Sequence, residues 1–198
     1  MFRGGEGALT DEELIQEIRE GSRAAMEVLV KRHYKSIFAY VYRKTGEYHT
    51  AYDLTQEVFI KMMNSLDQYR DTGKFSHWLL KIAVNHSTDY FRGRRFKQQH
   101  RESELTEEAL PASDQHNVWN IFHKRLQNEQ VRQAVISLPE HQRDAVILNY
   151  YNGLKIREVA ELTGTNESTV KSRIRLGISK LRELIVGGER DETYRKQR

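Results

Sequence analysis

One glycine, set between two short amphipathic runs, limits the fold of this chain more than any other residue. In residues 155–184, KIREVAELTGTNESTVKSRIRLGISKLREL, Gly164 falls where the first helix must stop and reverse. Such a stop favours a residue that tolerates positive φ. Ala160 is small enough for a close helix crossing, and Thr165 or Asn166 is placed to cap the helix that follows. Glu167 in its first turn suits the positive end of the helix dipole. Beyond it Val170, Ile174, Ile178 and Leu181 recur at three- and four-residue spacing, while Lys171, Ser172 and Arg175 project from roughly the opposite side. Residues 168–182 hold five basic side chains and no acidic one. The arrangement predicts a helix-turn-helix whose second helix offers its outward face to an anionic surface such as a DNA major groove. The competing reading is a solvated basic helix in an ordinary bundle, and the glycine turn, the cap and the one-sided charge in register weigh against it.

The rest of the chain also reads as helices, each with one apolar stripe. Thr10 and Glu13 offer a capping box for a short helix bearing Leu14, Ile15 and Ile18, which Gly21 ends. Ser22 opens a longer one, with Met26, Leu29, Val30, His33, Ile37, Tyr40 and Val41 on one face until Gly46. His33 is expected to be a half-buried packing residue. A helix over about 50–66 carries Ala51, Leu54, Val58 and Met62 inward, with Asp53, Gln56 and Glu57 as a polar strip beside them. That strip suits either a partner or plain solvent. After a loop at Asp71, Thr72 and Gly73, a helix from Phe75 to about Arg95 places Trp78, Leu79, Ile82, Ala83, His86 and Tyr90 broadly inward. Asn85 and Asp89 lie beside Lys81 and Arg92, so amides, charge and rings meet on one face of the kind that holds unstacked bases. The basic cluster Arg92, Arg94, Arg95, Lys97 and Arg101 fits phosphate contact or a solvated helix end.

Helical period fades from about residue 96 to 128, where residues 102–114 contain five acidic side chains, no basic one, and Pro111. A weakly structured stretch of this length inside one compact domain is unusual, so two domains joined by a tether are expected, with a little helix at most around 118–126. A second bundle begins with Val131, Ala134, Val135 and Leu138. Pro139, at a first helical position, then starts a helix with Ala145, Val146 and Leu148 that Asn152 and Gly153 end. The tail, 188–198, is charged and expected to be disordered. The chain is thus expected to be all-α: 1–96, an acidic linker 97–128, 129–187, and the tail.

Composition narrows the functions available. With no cysteine there is no disulfide framework and no thiolate zinc site, which fits a reducing cytoplasm. No run is long enough to span a bilayer, and no signal-peptide core is present, so direct membrane insertion is not expected. The eight histidines are scattered at non-ligand spacing, and no HExxH, phosphate loop or nucleophile elbow occurs. No metal, cofactor, small-molecule substrate or catalysis is therefore expected.

The order of these pieces resembles the extracytoplasmic-function sigma factors of bacterial RNA polymerase, members of the sigma-70 family. DLTQEVFIKMMNSLDQYR from Asp53 looks like the family's segment that binds the polymerase clamp helices. FSHWLLKIAVNHSTDYFRGRR from Phe75 looks like its minus-ten reading and melting segment, and LPEHQRDAVILNYYNGLKIREVAELTGTNESTVKSRIRLGISKLREL from Leu138 like the region that reads the minus-thirty-five element. The resemblance implies polymerase docking through Asp53, Gln56 and Glu57. It implies minus-ten contacts from Lys81, Asn85, His86, Asp89, Arg92, Arg94 and Arg95, and minus-thirty-five contacts from Ser168, Thr169, Lys171, Ser172, Arg173 and Arg175. Its implied partners are core RNA polymerase, by its clamp helices and flap, promoter DNA, and an anti-sigma factor able to hold a cytoplasmic protein at the membrane. Asn166 and Glu167 depart from the Pro-Val pair frequent at their place, and Arg175 with Leu176 is this chain's own choice at base-reading positions. The runner-up is a free-standing helix-turn-helix regulator, with residues 10–96 as a sensor or dimerisation domain.

Overall fold

The computed structural model describes the backbone of residues 9–70, 73–101 and 122–195, and side chains for 9–70, 73–94 and 129–185. Helices are the only regular elements among the described residues: α1 (Asp11–Arg19), α2 (Arg23–Thr45), α3 (Tyr48–Ser65), α4 (Phe75–Arg101), α5 (Phe122–Ile136), α6 (Glu140–Val146), α7 (Ile156–Thr163) and α8 (Glu167–Arg195). A 3-10 turn at Leu66–Gln68 follows α3, and a π-helical turn at Ile147–Tyr151 follows α6. The chain divides into two compact units, Met1–Tyr42 with Glu47–His86, and Arg43–Gly46 with Ser87–Arg198. No helix among the described residues is long and apolar enough to cross a membrane.

In the first unit local sequence sets the helix starts. Thr10 Oγ1 accepts from the Glu13 N–H at 3.2 Å while the Glu13 carboxylate accepts from the Thr10 N–H at 2.7 Å, completing the expected box. Ser22 Oγ accepts from the Ala25 N–H at 3.2 Å, and α2 stops before Gly46 at φ 74°. α3 begins at Tyr48 instead of near Thr50, because the Glu47 carboxylate caps it by accepting from the His49 and Thr50 amides. The Thr50 hydroxyl first, then these amides, hold the Glu47 carboxyl below the usual range. That cap stabilises α3 above the unfolded glutamate pKa of about 4.3 and is lost as pH falls through the lower folded value.

The stripes close on one another. Leu14, Ile15, Leu29, Ile37, Tyr40, Val41, Ala51, Leu54, Val58, Met62, Phe75, Leu79 and Ala83 are all buried. His33 lies at their edge, half-buried as expected: its Nε2 is 2.8 Å from Asp11 Oδ2, and its ring meets Phe75 edge-on at 5.2 Å. Asp11 thereby ties α1 to α2, with Arg32 Nη1 donating to its other oxygen at 2.7 Å.

In the second unit, Ala134 and Val135 of α5 pack with Leu138, Ala145, Val146, Ile147, Leu148, Val159, Leu162, Val170 and Leu181, all buried. α5 starts at Phe122, inside the stretch where a little helix around 118–126 was expected, and runs unbroken into the second bundle. Two expectations need correction. Pro139 is the cap of α6, one position earlier than expected, with an extended ψ of 139°. α8 continues through Gly187 to Arg195, since a glycine inside a helix costs about 1 kcal/mol and weakens the helix without ending it. The acidic run 102–114, the side chains of Lys97 and Arg101, and residues 196–198 lie outside the described residues.

Gly177 of α8 packs closely against α6, for a Cβ added there would stand 2.9 Å from Val146 Cγ2 and 3.6 Å from the Gln142 carbonyl oxygen. Val146 is buried and β-branched, so it has little room to yield. Gly177→Leu is expected to destabilise the unit by about 1–3 kcal/mol through overpacking. Gly93 of α4, with nothing within 4 Å of its added Cβ, is the control: Gly93→Ala should stabilise its helix by about 1 kcal/mol. Urea melts of the two variants check this, and an unchanged midpoint for Gly177→Leu would show the contact to be loose.

Candidate nucleic-acid interface

The turn between α7 and α8 is built as its sequence dictates. Gly164 takes the left-handed conformation, φ 61° and ψ 35°, and the Thr165 N–H donates to the Ala160 carbonyl at 3.0 Å. The cap of α8 is Asn166, whose Oδ1 accepts from the Thr169 N–H and the Ser168 hydroxyl, each at 2.7 Å. Val170 and Leu181 then anchor α8 inward, with Gly177 buried between them. On the opposite side Ser168, Lys171, Ser172 and Arg175 are exposed, whereas Thr169 and Arg173 are half-buried. The α8 side chains expected to contact DNA therefore divide into an outward group and an edge group. Leu176, which the resemblance sets with Arg175 at a base-reading position, is 51% exposed beside them.

On α3 the polar strip also stands where the period puts it: Asp53, Gln56 and Glu57 are exposed while Leu54 and Val58 are buried. Tyr52, Ile60 and Met63 are exposed next to it, at 46%, 50% and 43%. The α3 surface thus carries exposed apolar side chains beside its charges, as an interface with an apolar centre and a polar rim does. Their sequence signal was available, since all three fall on the side of α3 that an amphipathic pattern would keep polar.

α4 carries Lys81, Asn85, Asp89, Arg92 and Arg94 exposed, while the side chain of Arg95 lies outside the described residues. Arg92 Nη1 is 3.5 Å from Asp89 Oδ1, an exposed pair that contributes little to stability. His86 stands apart from the other expected minus-ten contacts: its side chain is only 12% exposed, and its Nε2 is 2.6 Å from Glu57 Oε2. One bond thus joins the α3 strip to α4, which no local pattern could have revealed. Near the start of α4, Trp78 meets Tyr69 and Phe75 at ring-centroid distances of 5.0 and 5.6 Å.

An exposed cationic helix held by a capped glycine turn defines a DNA-binding protein of the helix-turn-helix class. Comparison with known proteins narrows the class further. The family model for Sigma-70 region 2 matches residues 29–97, and that for Sigma-70 region 4 matches residues 128–181. The ECF RNA polymerase sigma factor SigE of Mycolicibacterium smegmatis is 34% identical over 174 residues, 83% of this chain and 64% of that protein. The ECF RNA polymerase sigma-E factor of Escherichia coli is 31% identical over 173 residues, 84% of this chain and 89% of that protein. The sigma factor RpoE of Bartonella quintana, solved with the anti-sigma factor NepR, shares the fold at a TM-score of 0.64 and 21% identity, over 80% of this chain and 95% of that one. The chain belongs to the ECF sigma factors of the sigma-70 family.

Proposed function

We infer that this chain is an alternative sigma factor that binds core RNA polymerase and directs it to specific promoters. The observation that carries the reading is the pairing, in one chain, of a region 2 segment whose α3 face is apolar and acidic with a region 4 segment whose α8 face is cationic. Residues 1–96 dock on the polymerase clamp helices and open the minus-ten element, 97–128 form the tether, and 129–187 read the minus-thirty-five element and meet the flap. Docking uses Asp53, Gln56 and Glu57, with Tyr52, Ile60 and Met63 as its apolar part. The protein adds no catalysis of its own, acts in the cytoplasm, and is restrained by an anti-sigma factor.

Reconstitution tests this. The purified chain should co-purify with core enzyme and start transcription from promoters selected out of a random library. Strong binding to promoter duplex without core enzyme, and none to core enzyme, would establish the free-standing regulator instead.

Within this assignment Asn85 acts after the strands part. Its side chain is exposed on α4, where it can pair with the edge of an unstacked base. Asn85→Ala is expected to reduce open-complex formation about tenfold, the lower part of the range for losing one base contact, and to leave initial duplex binding within about twofold. Permanganate reactivity of promoter thymines measures opening. Normal reactivity in the variant would assign Asn85 a purely structural role.

A further inference from the structure

Over residues 168–182 the outward face of α8 is polar and cationic except at one residue. Leu176 is 51% exposed, and rotation of about 100° per residue sets it about 40° round the helix from exposed Ser172 but about 120° from buried Val170. It therefore points away from the packed stripe. Exposed Leu184 is no continuation of it, lying about 12 Å further along α8 and about 80° round. The neighbours of Leu176 one turn away are Ser172 and Ser179, too short to cover it, and Arg173 and Lys180, which flank it with positive charge. An apolar tip in a cationic frame matches a surface that is anionic overall and has apolar groups recessed within it. The major groove of DNA is such a surface, because phosphates line its rims and the thymine C5-methyl is its one apolar feature.

We propose that Leu176 is a specificity-determining residue that reads the methyl group of one thymine in the upstream promoter element. Arg175, beside it, takes a hydrogen-bonding base edge, and Arg173 and Lys180 take the flanking phosphates. The proposal rests on the assignment of α8 to promoter duplex made above.

Replacing thymine by deoxyuridine removes the methyl and no hydrogen-bonding group. Holoenzyme reconstituted with core enzyme is to be measured on library-selected promoters in which each upstream thymine is replaced singly. At one position the substitution should weaken wild-type binding about fourfold, equivalent to about 0.8 kcal/mol for one methyl-sized group. Leu176→Ala holoenzyme should bind the two duplexes equally at the weaker level, Leu176→Met should retain most of the difference, and Arg175→Ala should retain it in full. The proposal is overturned if wild-type holoenzyme ignores every such replacement, if the selected upstream elements contain no thymine, or if Leu176→Ala still distinguishes the two bases. A holoenzyme equally indifferent to a scrambled upstream element would instead overturn the assignment of α8 to duplex DNA. Unchanged thermal melting of the variants excludes misfolding as the cause.

Discussion

Reversal of Asp53 and Glu57 together to Lys is expected to weaken binding to core polymerase by about a hundredfold, since like charges placed across an interface cost several kcal/mol. Both carboxylates are exposed beside the buried Leu54 and Val58, so the core of α3 should survive the change. The two single variants should nevertheless differ. Glu57 lies 2.6 Å from His86 Nε2, so Glu57→Lys sets an ammonium against an imidazole that has lost its acceptor. It should lower thermal stability as well as affinity, whereas Asp53→Lys should lower affinity alone. Competition against labelled sigma factor for core enzyme, alongside thermal melts, separates the effects. Undiminished affinity in a folded double variant would remove this face from docking.

The second large effect is a separation of roles on α8. Arg175 is exposed on the outward face, four residues from Lys171, while Arg173 is half-buried at its edge. Arg175→Ala is expected to relax base preference at one or two positions of the minus-thirty-five element, by about 1–3 kcal/mol of discrimination for a lost bidentate contact to guanine. Arg173→Ala should weaken all promoters alike and reduce the salt slope of binding by about one unit. Binding across a library of single-base promoter variants at two salt concentrations reads both quantities. Uniform loss from Arg175→Ala, together with altered base preference from Arg173→Ala, would reverse the assignment.

What could be read ahead of the structure was whatever neighbouring residues decide between themselves. The Thr10–Glu13 box, the Ser22 cap and the left-handed Gly164 each depend on a few adjacent positions. The buried stripe of α3, and on α8 the buried Val170 and Leu181 with half-buried Ile174 and Ile178, follow from period alone. The Glu47 cap escaped because glutamate is not among the preferred capping residues. The His86–Glu57 bond joins residues 29 positions apart, and the close approach at Gly177 depends on where Val146 lies, so neither leaves a local trace. Ile60 escaped for the opposite reason: an exposed apolar residue is common on any surface, and only its surroundings give it meaning.

The π-helical turn at Ile147–Tyr151 has its own consequence. It amounts to one residue spliced into the helix that leads toward the helix-turn-helix, and Asn149 Nδ2 secures its exit by donating to the Leu154 carbonyl at 2.8 Å. One residue of helix is about 100° of rotation and 1.5 Å of advance. The heading of the chain as it leaves Gly153 is therefore set by how many residues precede it more than by which ones they are. Substitutions in this turn preserve that count, whereas removing a single residue would swing the exit about a quarter of the way round the helix axis, with every side chain of α8 still present but differently aimed.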